Sequence, residues 1–326
     1  MAHLSWVQKK LFQMKKLVVR THTAFFFSLV FLLQIMLAGC ESYDEQEAKL
    51  KDTPDRGTIY VSADESFKPI IDSEVQVYES QHPGTRIIVT YKPEAECLKD
   101  MAVDSVRMII ATRGYSKQEE NFMVDSMKVA PEKMVVAYDA IAVVVNPRSP
   151  DSLFTMNEIR QILTGTYKKD IVPVFDNTKE TSTIRFIIDS VLRGQPLTTK
   201  AMAAKSSPGV IEYISKNANA IGFIGVSWVG DRDDTMQVSF LKRVKMAQLE
   251  SMDIPGNYVL PVQANIFLHR YPMIRDVTYI LKENYKGLGH GFANFLSGEK
   301  GQLIFKRAYL VPAQQDFRIR PIRLNE

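Results

Sequence analysis

From Gly57 onward the chain alternates short apolar runs with segments whose apolar residues recur every three to four positions. Gly57–Ser62 reads as a buried strand, and Phe67, Ile70, Ile71, Val75 and Tyr78 follow at helical spacing. His82-Pro83-Gly84 ends that helix, because proline cannot continue it. Arg86–Tyr91 predicts the next strand, a helix opens at Pro93 and runs through Asp104, and Val106–Ala111 predicts a third strand. This strand–helix–strand–helix–strand order predicts a mainly parallel sheet with helices on both faces. A helix is expected over 117–127, then a long apolar strand, Met134–Asn146, stopped by Pro147 and Pro150. The pattern continues with a helix at Met156–Leu163, a strand at Ile171–Phe175, helices at Ser182–Leu192 and Gly209–Lys216, and a strand at Ala220–Ile224. The last third predicts polar strands, then helices near Gly291–Ser297 and Glu299–Arg307. No internal repeat is visible. About 270 residues patterned this way fit two α/β lobes better than one.

The first 39 residues follow a different rule. Lys15, Lys16 and Arg20 precede an apolar stretch, Ala24–Met36, which runs into Leu37-Ala38-Gly39-Cys40. That order is the order of a secretory leader. The uncharged run from Thr21 to Cys40 is 20 residues, long enough to span a bilayer as an anchor. It ends instead in small residues before a Cys, with no basic stop-transfer cluster after it. Leu-Ala-Gly-Cys resembles the bacterial lipobox, so residues 1–39 are expected to be a lipoprotein signal peptide and Cys40 the lipidated N-terminus. Met14-Lys15-Lys16 is a more usual opening than thirteen additional residues, so translation starts at Met1 or at Met14. Residues 40–56 are polar and acidic and are expected to form a flexible tether. The acids just after Cys40 resemble surface-export signals of some diderm bacteria, and equally a plain solvated linker.

Charge changes once the leader is set aside. Removing its five bases from the 41 Lys and Arg leaves 36 against 37 acids, so the body is nearly neutral. A nucleic-acid binder would need a basic body. With Cys40 acylated, Cys97 is the remaining thiol, so no intramolecular disulfide forms, and Cys97 is expected as a small buried residue on a helix.

Enzyme signatures are scarce. The body's histidines, His82, His269 and His290, are far apart, and neither His-Glu-x-x-His nor a P-loop occurs. No metal ligand set and no cofactor are expected. Gly225-Val-Ser227-Trp-Val-Gly230 is one residue too long for a nucleophile elbow. Gly287-Leu-Gly289-His-Gly291 reads as a helix-entry loop.

Three hydroxyl-rich turns remain, each expected at the carboxyl end of a strand. They are Ser62-Ala-Asp-Glu65-Ser66, Ala111-Thr112-Arg113-Gly114 and Glu180-Thr181-Ser182-Thr183. Open α/β sheets bind ligands at that end. Helix N-termini carrying Ser and Thr are natural anion sites, and a forked guanidinium such as Arg113 suits a tetrahedral oxyanion. Ser66 could cap its helix. Each turn taken alone is equally an ordinary N-cap.

Further stretches carry a resemblance. Ala137–Asn146 (Ala-Tyr-Asp-Ala-Ile-Ala-Val-Val-Val-Asn), Met156–Gly165, Ala218–Gly225, Tyr271-Pro-Met-Ile-Arg275, Phe292–Gln302 and Ala308-Tyr-Leu-Val-Pro312 resemble, in order, the phosphate-binding proteins of ABC importers. The resemblance runs from Gly57 to Pro312 and implies the type II periplasmic-binding-protein fold: two doubly wound α/β lobes, two crossover segments and a ligand cleft between them. Lobe 1 is expected over 57–139 and 280–326, lobe 2 over 140–279, with hinges near Asp139–Asn146 and Tyr271–Lys282. The resemblance places Ser62, Glu65 and Ser66 in the first-lobe loop. Thr112 and Arg113 fall at the family's Ser-Arg position, and Thr181, Ser182 and Thr183 at its Ser-Gly-Thr position. It departs at three points. Arg107 stands where the family has an Asp that accepts a proton from phosphate, Asn177 stands where it has an Arg, and Ser182 replaces the Gly. Asp64, Glu65 or Asp176 are the available substitute acceptors. Arg107 joins the expected ligand set if its strand continues far enough.

The expectation is a monomeric, lipid-anchored extracytoplasmic solute-binding protein, not an enzyme, that captures inorganic phosphate and delivers it to an ABC permease. The alternatives are another oxyanion (sulfate, molybdate or an organic phosphate) or a non-transporting sensor or scaffold.

Overall fold

The computed structural model describes residues 52–128, 130–176 and 181–314; the leader, Cys40 and Asn177 lie outside them. The first strand, β1 (Arg56–Asp64), pairs in parallel with β2 (Gly84–Lys92) on one side and with β3 (Val106–Ala111) on the other. Helix α1 (Lys68–Gln81) connects β1 to β2, and α2 (Glu94–Lys99) with a 3-10 turn to Ala102 connects β2 to β3. Parallel neighbours need such crossovers, so the alternating pattern of the sequence is realised as two right-sized connections. Helix α3 (Lys117–Met127) then leads to β4 (Glu132–Val145).

Strand β4 belongs to both halves of the sheet. Its first part pairs with a strand from the far end of the chain, and residues 141–145 pair with residues 221–225 instead. After β4 come β5 (Leu153–Phe154), α4 (Met156–Thr164), β6 (Val172–Phe175) and α5 (Ser182–Phe186), which continues as a π turn, Ile187–Val191. Then follow β7 (Met202–Ala203), α6 (Ser207–Lys216), β8 (Ala220–Gly225), α7 (Thr235–Leu241), β9 (Lys245–Met246), β10 (Gln248–Glu250), β11 (Tyr258–Val259) and α8 (Gln263–Phe267). Strand β12 (Ile274–Leu281), α9 (Leu288–Ser297), α10 (Glu299–Arg307) and β13 (Val311–Pro312) close the described chain. The main sheet runs β2-β1-β3-β12-β4-β8-β6-β7, with β9 and β13 also on β4.

Two differences from the sequence reading matter. The C-terminal third, read as polar strands, contains β12, whose last five residues are all buried. It lies antiparallel between β3 and β4, where both faces are covered, so its apolar run does not alternate. The glycine-rich stretch read as a helix-entry loop is the helix start itself: Gly287 is the N-cap and Leu288–Gly291 the first turn of α9. The buried Glu283 carboxylate accepts the backbone N–H of Gly289 (2.9 Å) and of His290 (2.9 Å), which satisfies the donors a helix start leaves open.

Each half has its own apolar core. Ile59, Phe67, Ile71, Tyr279, Phe292 and Phe305 centre the first; Ile159, Phe175, Ile187, Phe223 and Tyr271 centre one face of the second, and Val210, Ile214 and Phe240 the other. Cys97 is buried and free, and burial pushes its thiol up to about 12, so it packs as an apolar residue. Glu74 on α1 is 0% exposed, and among the described residues neither carboxylate oxygen has a hydrogen-bond partner. Burial pushes its pKa up to about 10, so it sits in the core as a neutral acid. A folded-state pKa raised above the unfolded value contributes stability at acid pH that is lost as pH rises from about 4.5 towards 10. Glu74→Gln is therefore expected to raise the urea midpoint at pH 8 and to flatten its fall between pH 5 and 9; an unchanged pH slope would count against this assignment.

Candidate functional site

The ends of β1, β6 and β8 bring a set of polar side chains to the seam between the two halves. Strand β1 ends at Asp64, whose Oδ1 accepts the Ser66 N–H at 2.8 Å and so opens the 3-10 turn Glu65–Phe67 that enters α1. Asp64, not Ser66, is thus the cap, and the Ser66 hydroxyl is left for another partner. That partner is across the seam: Ser66 Oγ lies 3.3 Å from Ser182 Oγ at the start of α5. Thr181 caps α5 with its own hydroxyl on the Ile184 N–H (3.3 Å), which turns the Ser182 and Thr183 side chains inward, both fully buried. Ser227, just past β8, donates to the Ser66 carbonyl at 2.7 Å.

One guanidinium gathers these groups. Arg275 on β12 stands directly opposite Asp139 on β4 in the antiparallel register, and its Nε donates to Asp139 Oδ2 at 2.8 Å. Its Nη1 donates to Ser182 Oγ at 2.9 Å and to Thr183 Oγ1 at 3.3 Å. The Arg275 and Asp139 side chains are 2% and 0% exposed. Gly225 ends β8 against this pair. A Cβ there would lie 2.8 Å from Arg275 Nη2 and 3.3 Å from the Ser66 carbonyl oxygen, so only glycine admits the close approach.

Acids outnumber bases at this point. Asp64 and Asp176 are buried, and Asp64 Oδ2 and Asp176 Oδ1 have no hydrogen-bond partner among the described residues. Burial raises both carboxyls; the neighbouring Asp64 charge adds to the rise at Asp176, which reaches about 7. Half-buried Glu65 is raised for the same reasons, burial first and Asp64 second. Ser207 Oγ, at the start of α6, contacts Asp176 Oδ2 at 3.4 Å.

The remaining expected residues make no hydrogen bond to Arg275. Ser62 donates to Asp100 Oδ2 at 2.7 Å, an oxygen it shares with Lys92. The Thr112 N–H (2.9 Å) and hydroxyl both go to the Glu94 carboxylate, so Thr112 itself has no free donor. Arg113 makes a forked pair with Glu119 (2.8 and 3.0 Å), the capping-box residue of α3, and does not reach the Ser66–Ser182 contact. Arg107 does not join the cluster either. It pairs with Asp52, Tyr285 and Glu283 near the amino end of β3, five residues or about 16 Å of strand from Thr112. Arg275 falls within Tyr271-Pro-Met-Ile-Arg275, and nothing local to it in the sequence signals a site.

Comparison with known proteins agrees with this architecture. The profile of the PBP superfamily domain matches residues 50–300. The chain belongs to that family. Among solved structures, this PBP superfamily chain resembles one from Clostridium perfringens described as a phosphate ABC transporter substrate-binding protein with bound phosphate. The TM-score is 0.65 at 20% identity, over 79% of this chain and 100% of that one. It also resembles an ABC-type phosphate transport receptor from Vibrio cholerae, with TM-score 0.58 and 18% identity over 78% and 99% of the two chains. A curated relative, phosphate-binding protein PstS 2 of Streptococcus pneumoniae, is 25% identical over 142 residues, 44% of this chain. The match spans 36% of that relative's length. The fold is therefore that of type II binding proteins, built from two α/β lobes.

Replacing Arg275 would leave the Asp139 carboxylate buried without its counter-charge. Arg275→Met is expected to cost about 3 kcal/mol or more in urea denaturation, and Asp139→Asn added to it to recover part of that loss. Additive losses in the double variant would argue against the coupling.

Proposed function

We propose that this PBP superfamily protein is a solute-binding protein that closes its two lobes around inorganic phosphate and hands it to an ABC permease. The observation that carries the reading is the meeting of two hydroxyl-bearing helix starts, Ser66 and Ser182–Thr183, at Arg275. Hydroxyls and a guanidinium are the donors a tetrahedral oxyanion takes. The lobes would exchange at Ala140–Ile141, where β4 changes partners, and near Met273 just before β12. Phosphate would enter as these segments flex, and the closed form would be favoured by contacts made to both lobes at once. No step in this reading makes or breaks a covalent bond. The leader supports an extracytoplasmic place for the body, held to a membrane through acylated Cys40. Among the described residues no helix is long and apolar enough to cross a membrane.

The carboxyls refine the ligand. Asp64, Asp139 and Asp176 face a single Arg275, so a fully ionised anion adds repulsion, whereas a protonated phosphate donates hydrogen bonds to Asp64 Oδ2 and Asp176 Oδ1. Sulfate has no proton to give, so it is disfavoured once Asp176 is ionised, above about pH 7. Titration calorimetry on the full chain in detergent, unfolded and refolded to strip carried-over ligand, tests this. Phosphate is expected to bind with evolution or uptake of heat at pH 6 and about tenfold more weakly at pH 8, where sulfate is expected not to bind. Asp176→Asn is expected to reduce the pH dependence. Absence of any phosphate binding would sink the reading, and equal binding of sulfate would sink the selectivity.

A further inference from the structure

One anion position near the seam is already filled, and by the chain itself. Glu94, the first residue of α2, is 1% exposed. Its Oε1 takes the Thr112 N–H at 2.9 Å and the Thr112 hydroxyl. Its Oε2 takes Arg185 Nε at 2.5 Å, and Arg185 Nη2 reaches Oε1 at 3.4 Å and Thr112 Oγ1 at 2.6 Å. A backbone N–H, a hydroxyl and a guanidinium converging on one carboxylate are the donor set of an oxyanion site. Burial alone would push the Glu94 carboxyl up; the Arg185 and Thr112 bonds outweigh it and hold it below the ordinary range, hence ionised. The donors also come from both sides of the seam. Thr112 follows β3 in the first half, and Arg185 lies on α5, whose Ile184 packs in the core of the second.

We propose that Glu94 is an internal anion that sets which part of the cleft a ligand can use. Its carboxylate fills the position made by Thr112 and Arg185, ties the two lobes there without a ligand, and leaves the Ser66–Ser182–Arg275 corner as the one open to phosphate. Thr112 is then a positioning residue that holds Glu94, rather than a ligand contact. An incoming dianion meets a fixed negative charge at this corner, which adds to the preference for a protonated ligand. The assignment of the remaining corner rests on the phosphate reading; the internal-anion assignment does not.

The test removes the carboxylate and offers it back. Glu94→Ala deletes a fragment with the atoms of acetate, and Arg185, whose side chain is 33% exposed, gives a small anion a way in. Thermal melting of the full chain is followed against sodium acetate, with ionic strength held by gluconate. The melting temperature of E94A is expected to rise by ~3 °C or more across the titration, with wild type unmoved because Glu94 occupies the position. The E94A/R185Q double variant is expected not to respond. An E94A protein insensitive to acetate, or a double variant that responds as the single one does, would overturn the proposal. If E94A does not fold, the yield on refolding with and without acetate is read instead: recovery in acetate supports the assignment, and none overturns it. Calorimetry with phosphate on the same samples separates the two claims, because acetate rescue without phosphate binding in any variant defeats the phosphate reading alone.

Discussion

The ion pair between Arg275 and Asp139 is the constraint on which the rest of the site depends. The two residues stand opposite one another on β12 and β4, with no more than 2% of either side chain exposed. A buried charge is tolerated only when its counter-charge and hydrogen bonds are fixed in place. Here they are fixed by a ladder of antiparallel backbone bonds on the strand that both halves of the sheet share. That fixity is useful. Arg275 keeps one nitrogen on Asp139 and turns another to Ser182 and Thr183, so the guanidinium that holds the strands together also orients the first turn of α5. Gly225 follows from the same constraint, since any side chain there would enter the space the guanidinium fills.

Around this pair the protein spends its carboxylates in two ways. Some close helix and turn starts: Asp64 takes the Ser66 N–H, Glu94 the Thr112 N–H, Glu119 the Ser116 N–H and Glu283 those of Gly289 and His290. Each replaces with an internal acceptor the anion that such donors would otherwise attract. Other oxygens, on Asp64 and Asp176, are buried with no hydrogen-bond partner among the described residues. The first use removes anion sites; under the phosphate proposal, the second favours a ligand that carries protons.

Cations divide in the same way. Arg113 and Arg107, both expected at the ligand, are engaged by acids that come from elsewhere in the chain, Glu119 on α3 and the Asp52–Glu283 pair beside α9. A guanidinium binds whichever carboxylate the fold brings closest, and spacing along one strand does not reveal that partner. Arg275 is the converse case: it carries no local signature, and its role comes wholly from what β12 is inserted between.

In the sequence by itself, apolar periodicity placed the strands and helices up to β4 and most of the longer ones after it, and short stretches carried the family resemblance, whereas β12 and the short elements between β8 and β12 were not legible in it. Apolar periodicity is a local property, and burial on one face or on both imposes it residue by residue, so β1, β3, β4, α1 and α3 fall where the pattern puts them. It also placed Ser66 and Thr181–Thr183 at helix starts, because capping is settled within a few residues. The tertiary structure alone decided which charged groups meet. Asp139 and Arg275 are 136 residues apart, and Glu94 and Arg185 are 91 apart. Their pairing depends on strand order and on closure of one half of the sheet against the other. Electrostatic partnership is a matter of distance in space, and no period or motif along the chain encodes it.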